Sequence, residues 1–207
     1  MEMIQLMLGE LATNSYILKL GNQDAIIIDI GNGAEKVLQA LEVYHLNLKA
    51  ILLTHGHYDH VSGVEQVRQA TGAEVYIHEK DAVMLKSEEK NLALDFPNTN
   101  YIPVEEYHRL KDGDILEISG HKIEVMHTPG HTSGSVCYLI EDMMFCGDTL
   151  FKGSAGRTDL GGNRDELMRS LKKIASLEKN YHVYPGHFED STLEKEKASN
   201  PYLRSIS

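Results

Sequence analysis

The sequence holds two sets of strands, each followed by helices, and that repetition limits the folds open to it. Short apolar runs at Met3–Leu8, Ser15–Leu20 and Ala25–Ile30, separated by Gly9-Glu10 and Gly21-Asn22, have the length and turn chemistry of strands. In Ala34–Leu46 the apolar positions Val37, Leu38, Leu41 and Tyr44 recur every three or four residues, the stripe of a helix lying on a sheet. A continuous apolar strand, Ala50–Leu53, is followed by a helix from about Val61 to Ala70 stopped at Thr71-Gly72, a strand Glu74–His78 and a short helix Asp81–Lys86. Ser87–Pro103 is irregular and predicts a long surface loop near a site, or a stretch of short helical turns. The pattern then restarts with strands Ile115–Ile118, Lys122–His127, Val136–Ile140 and Met143–Cys146. A helix Arg164–Leu177, striped by Leu167, Leu171 and Ile174, and a strand His182–Tyr184 complete it. Strands that cluster ahead of helices in each half predict an α+β chain of two facing sheets with helices outside, rather than a doubly wound parallel sheet. At 207 residues the chain suits a single domain, 1–207, large enough to bury roughly 70% of its unfolded surface without disulfide staples.

Histidine is concentrated where these strands end. His55, His57, Asp59 and His60 lie within six residues immediately after Ala50–Leu53. A rigid strand fixes the start of such a loop while the loop turns its side chains inward. On an extended segment His55 and His57 point to one side, leaving Asp59 and His60 to address a second point, so two clusters suggest two metals. His131 in Pro129-Gly130-His131, Asp148 in Gly147-Asp148-Thr149 and His187 in Pro185-Gly186-His187 each follow a further strand. Five histidines and two aspartates without cysteine suit zinc, iron or manganese and disfavour a purely structural thiolate site. His45, His78, His108, His121, His127 and His182 lack this context and read as surface or strand residues.

Charge narrows the partners. Twenty basic against 31 acidic residues leave −11, which argues against nucleic acid or an anionic membrane as a partner. No apolar run approaches the ~20 residues of a membrane span, and Met1–Glu10 carries no basic segment ahead of a hydrophobic stretch; a cytoplasmic location is expected. Cys137 and Cys146 lie in apolar strands and read as buried reduced thiols.

The run Thr54–His60, followed in order by Pro129-Gly130-His131, Gly147-Asp148-Thr149 and Pro185-Gly186-His187, resembles the metallo-β-lactamase superfamily over nearly the whole chain. The resemblance implies a four-layer αββα sandwich with metals at the sheet edges. More narrowly, Phe151–Gly162 (FKGSAGRTDLGG) and Glu194–Leu203 (EKEKASNPYL) resemble the glyoxalase II-like branch, hydrolases of hydroxyacylglutathione thioesters. By that resemblance His55, His57 and His131 would hold a first metal, Asp59, His60 and His187 a second, and Asp148 both. The sequence departs from the branch in two places. Phe188 stands after His187 where the branch usually has glycine, with Glu189 and Asp190 behind it. Only 20 residues follow His187, where glyoxalase II continues into a helical glutathione-binding domain.

Two divalent metals, zinc first with iron or manganese compatible, can share one water and present hydroxide, so no serine or cysteine nucleophile is needed. Asp59 is the expected catalytic residue, orienting that hydroxide as well as binding metal. A thiol, with a pKa near 8.5, leaves without an acid whereas an amine does not, so the expected substrate is a small-molecule thioester. Lys152 and Arg157 could add positive charge at the rim, and Thr158 or Asp159 could support a ligand histidine. Two alternatives share these residues. A persulfide dioxygenase would hold a single iron through His55, His131 and Asp148, and Gly156–Asp159 resembles that group too; a lactone hydrolase would use the whole set.

Overall fold

Two-residue alternation builds the molecule in layers. The computed structural model describes residues 1–96 and 101–206. Its first sheet runs in chain order through β1 (Glu2–Leu8), β2 (Thr13–Gly21), β3 (Asp24–Ile28), β4 (Asn47–Leu52), β5 (Glu74–His78) and β6 (His108–Leu110). The first three strands are antiparallel, and β3 to β6 are parallel. Ile17, Ile27 and Ile51 face outward onto helices α1 (Ala34–Val43) and α3 (Val64–Thr71), meeting Val37, Leu41, Val64 and Val67. Their neighbours Tyr16, Leu18, Ile26, Ile28 and Leu52 face the other way.

Those neighbours meet a second sheet, ordered β14 (Ser191–Thr192), β13 (His182–Pro185), β10 (Met143–Gly147), β9 (Val136–Ile140), β8 (His121–His127), β7 (Ile115–Ile118). Val136, Tyr138, Ile140 and Phe145 fill the space between the sheets. The alternate residues Cys137, Leu139, Met144 and Cys146 pack outward on α4 (Arg164–Ala175) through Leu167, Leu171 and Ile174. Three apolar layers thus separate four layers of secondary structure, helix, sheet, sheet and helix, an α+β sandwich. Both cysteines are free and buried, and burial pushes the Cys137 thiol up to about 12.

The structure alters the expected elements at several points. The third strand ends at Ile28 rather than Ile30, because Asp29 takes φ +54° and turns the chain toward the sheet edge. The expected Val61–Ala70 helix is two helices, α2 (Tyr58–Val61) and α3, meeting at Gly63. A side chain there would lie 2.6 Å from the Gly31 carbonyl. Helix 34–46 stops at Val43, since His45 adopts φ +53°. Ala82–Lys86 is a 3-10 helix, and a second such turn, Ala93–Asp95, lies within the irregular segment; its residues 97–100 lie outside the described residues. The hairpin β11 (Leu150–Phe151)–β12 (Ser154–Ala155), strands β6 and β14, and helices α5 (Leu193–Ser199) and α6 (Pro201–Arg204) were not anticipated; the strands are only two or three residues long, too short for a periodic signal. Among the described residues no helix is long and apolar enough to cross a membrane.

Candidate metal centre

All seven expected residues converge between the two sheets at one edge. His55, His57, Asp59 and His60 follow β4, His131 follows β8, Asp148 follows β10 and His187 follows β13. Their ligand atoms form three groups, each with its donor atoms within 4.8 Å of one another: His55, His57 and His131; Asp59, His60 and His187; and His55, His60 and Asp148. Asp148 joins the halves, with Oδ1 3.4 Å from His60 Nε2 and Oδ2 3.6 Å from both His131 Nε2 and His187 Nε2. The close approach depends on Gly186, where a Cβ would lie 2.3 Å from Asp148 Oδ1 and 2.5 Å from His60 Cε1.

Hydrogen bonds behind the rings aim the lone pairs into the cluster. His60 Nδ1–H donates to Asp29 Oδ2 at 2.8 Å, His131 Nδ1–H to the Arg157 carbonyl at 2.8 Å, and His187 Nδ1–H to the Leu11 carbonyl at 3.1 Å. The Thr54 hydroxyl donates to Asp29 at 2.6 Å, so its oxygen is free to accept His55 Nδ1–H at 3.1 Å. In each case Nδ1 is engaged behind the ring and Nε2 is the nitrogen that faces inward. His57 presents Nδ1 instead, 2.9 Å from His131 Nε2. His55 Nε2 and Asp148 Oδ1 are buried with no hydrogen-bond partner, a cost that convergent lone pairs incur unless a cation satisfies them. The donor set therefore fits divalent metal.

The two halves differ in charge. Burial, followed by the neighbouring rings, holds His55 well below its ordinary value, and burial with His131 holds His57 down to about 3; both are neutral imidazoles, as ligands must be. Burial also opposes charge on His60 and His187, but Asp59 and Asp148 outweigh it and push both up, Asp29 adding to the effect on His60. Burial would raise Asp59 and Asp148, yet His60 heads the charges that hold each carboxylate below its usual range.

Residues 8–187 match the Metallo-beta-lactamase superfamily. The chain belongs to that superfamily. Hydroxyacylglutathione hydrolase GloC of Haemophilus influenzae is 37% identical over 192 residues, covering 89% of this chain and 90% of its own. The crystal structure of BLEG-1 B3 metallo-beta-lactamase superimposes with a TM-score of 0.92 at 36% identity, covering 98% of this chain and 99% of that one. TTHA1623 in a di-iron-bound form gives 0.86 at 34% identity, covering 97% and 100%.

Within this metallo-β-lactamase frame, two aspartates that read as ordinary strand and helix residues support the cluster. Asp29, 1% exposed, accepts from the Thr54 backbone and hydroxyl as well as from His60. Asp81 is fully buried and staples two loops of the cluster together. It accepts from Gly56 N at 3.1 Å, between His55 and His57, and from Thr132 Oγ1 at 2.6 Å and Gly134 N at 2.7 Å, beyond His131. Burial nonetheless raises its pKa. Asp81→Ala is expected to lower stability by about 2–3 kcal/mol, since it orphans several buried donors. Metal affinity should fall about tenfold or more. Thermal melts and metal titration of one preparation check both, and unchanged affinity would refute the staple.

The expected rim roles change. Asp159 does not support a ligand histidine; it binds the Arg157 guanidinium through both oxygens, at 2.7 and 2.6 Å, and the Arg157 carbonyl holds His131 instead. Lys152 is paired with Glu189. The cluster opens into a cavity of about 620 Å³ lined in part by Leu11, Tyr58, Phe151, Leu160 and Phe188, and the irregular segment contributes Asn91, Leu92, Asp95 and Phe96. Tyr58 also packs, its ring stacked on Phe96 at 4.9 Å between centroids. The C-terminal stretch clamps the cavity wall. Asn200 Nδ2 donates to the carbonyls of Phe151 and Ser154, and Glu196 accepts from Gly153 N, which ties α5 and the start of α6 to the β11–β12 hairpin.

Proposed function

We propose that the chain is a metal-dependent hydrolase of small thioesters, with hydroxyacylglutathione the first substrate to test. The observation that carries this reading is the pair of three-residue donor groups spanned by one carboxylate, Asp148. His55, His57 and His131 would hold one ion; Asp59, His60 and His187 the other; Asp148 would serve both. Zinc is the favoured ion, as neutral imidazoles and carboxylates without thiolate suit it, and the di-iron form of a 34% identical structure keeps iron open. When bound, such a pair of ions supplies an acidified water and positive charge for a developing oxyanion.

The protein's own residues do the rest. Asp59 is an acceptor at neutral pH, held low by His60 and His187 against burial, and one of its oxygens is oriented by the Thr13 hydroxyl at 3.2 Å. It can therefore take a hydrogen bond from an attacking water and fix its direction. A thiol leaving group departs as thiolate without a proton donor. This matches a cavity in which Tyr58 is the one tyrosine among the described lining residues, its hydroxyl pushed up by burial. Similarity to GloC, a hydroxyacylglutathione hydrolase 37% identical to this chain and aligned over 90% of its own length, supports the substrate class.

Metal removal separates the readings. Chelation is expected to abolish thioester hydrolysis, and about two equivalents of zinc per chain should restore it. One iron per chain with oxygen uptake on a glutathione persulfide would instead establish dioxygenation and overturn the proposal.

A further inference from the structure

An apolar collar surrounds His187 at the cavity mouth. The Leu11 carbonyl accepts His187 Nδ1–H, and its side chain, 46% exposed, lines the cavity. The rings of Phe151 and Phe188 have centroids 6.5 and 6.2 Å from that of His187 and meet each other edge-on at 5.5 Å. Phe188 is 75% exposed, more than any other large hydrophobic side chain among the described residues. It also sits at φ +66°, a conformation that glycine adopts freely and a phenylalanine does not. The turn itself does not need the ring. It is held by the backbone, the Phe188 and Pro185 carbonyls both accepting from Asn14 Nδ2, at 3.0 and 3.1 Å. What the side chain adds is an aromatic face presented to the cavity.

The charge around the collar does not point to an ionic ligand. Lys152 is bound to Glu189, and Arg157 is bound at two points to Asp159, so the two cations at the rim are already paired. Asp95 adds an acidic group to the lining. The paired rim cations do not single out a carboxylate-bearing arm at this spot, whereas an aryl or alkyl group would cover exposed ring.

We propose that Leu11, Phe151 and Phe188 bind an aryl or alkyl arm of the substrate on the His187 side of the centre, with Phe188 the residue that sets this preference. The substrate class rests on the thioester reading above. The metal-loaded protein is assayed on two series: glutathione thioesters of lactoyl, acetyl, butanoyl and phenylacetyl groups, and acetyl thioesters of glutathione, 2-mercaptoethanol and phenylmethanethiol. In one of them kcat/KM should climb at least tenfold with the apolar arm, and that series identifies the arm as acyl or thiol. Phe188→Gly should flatten the climb to less than threefold without lowering the melting temperature, because glycine relaxes the backbone; Phe188→Tyr should preserve it. A flat profile in both series, or a climb that survives Phe188→Gly, overturns the collar. If no thioester is hydrolysed, the thioester reading fails, and the collar is decided by calorimetric binding of the S-benzyl thioether of 2-mercaptoethanol. Binding at least tenfold tighter to wild type than to Phe188→Gly supports the collar, and equal binding overturns it.

Discussion

Asp148→Ala should release metal from both halves of the cluster and lower kcat/KM by at least about 10³-fold, roughly 4 kcal/mol of transition-state stabilisation. The size of the effect follows from position. Among the described residues Asp148 is the one carboxylate within 3.6 Å of histidines from both groups, and its Oδ1 has no hydrogen-bond donor to fall back on. Its loss also removes one of the negative charges that oppose burial of His60 and His187. Asp148→Asn keeps the shape and one oxygen, so it should retain part of the metal while losing most of the rate. Metal content by atomic absorption alongside kcat/KM checks this. A variant with full metal and full activity would remove Asp148 from the centre.

Asp29→Ala should be the most destabilising single substitution around the site, by about 3–5 kcal/mol, through groups it leaves behind rather than contacts it loses. The Thr54 N–H, the Thr54 hydroxyl and the His60 Nδ1–H all point at this carboxylate within a pocket that water does not reach. Without it His60 is free to take the other tautomer and Thr54 no longer holds His55, so metal affinity should fall about 10–100-fold as well. Asn at position 29 keeps one acceptor and should recover part of the stability. Chemical denaturation with metal titration measures both. A loss below about 1 kcal/mol with unchanged metal content would mean the network carries little.

The seven cluster residues were legible because each sits directly behind a recognisable strand, and the loop motifs are local. Alternation was legible for the same reason: Ile17 against Leu18, or Cys137 against Tyr138, is decided by a two-residue period that any pleated strand imposes. Asp29 and Asp81 were not. Asp29 lay inside an apolar run and passed for its last polar position, and Asp81 passed for a helix start, because their partners are 25 to 53 residues away. The one available signal was an acid directly after an all-apolar strand, which Asp29 shares with the loop that holds Asp148.

The same division runs through the function. Local spacing by itself determined the element pattern, the donor set and the superfamily resemblance, since strands, turns and ligand loops are written in neighbouring residues. Tertiary structure brought the grouped donors within reach of one another and decided which nitrogen each histidine presents and which cations at the rim are already paired. It also placed Phe188: its backbone is left-handed beside His187, and the assembled cavity has that side chain in its lining. These outcomes depend on through-space distances between chain-distant groups, which no sequence period encodes.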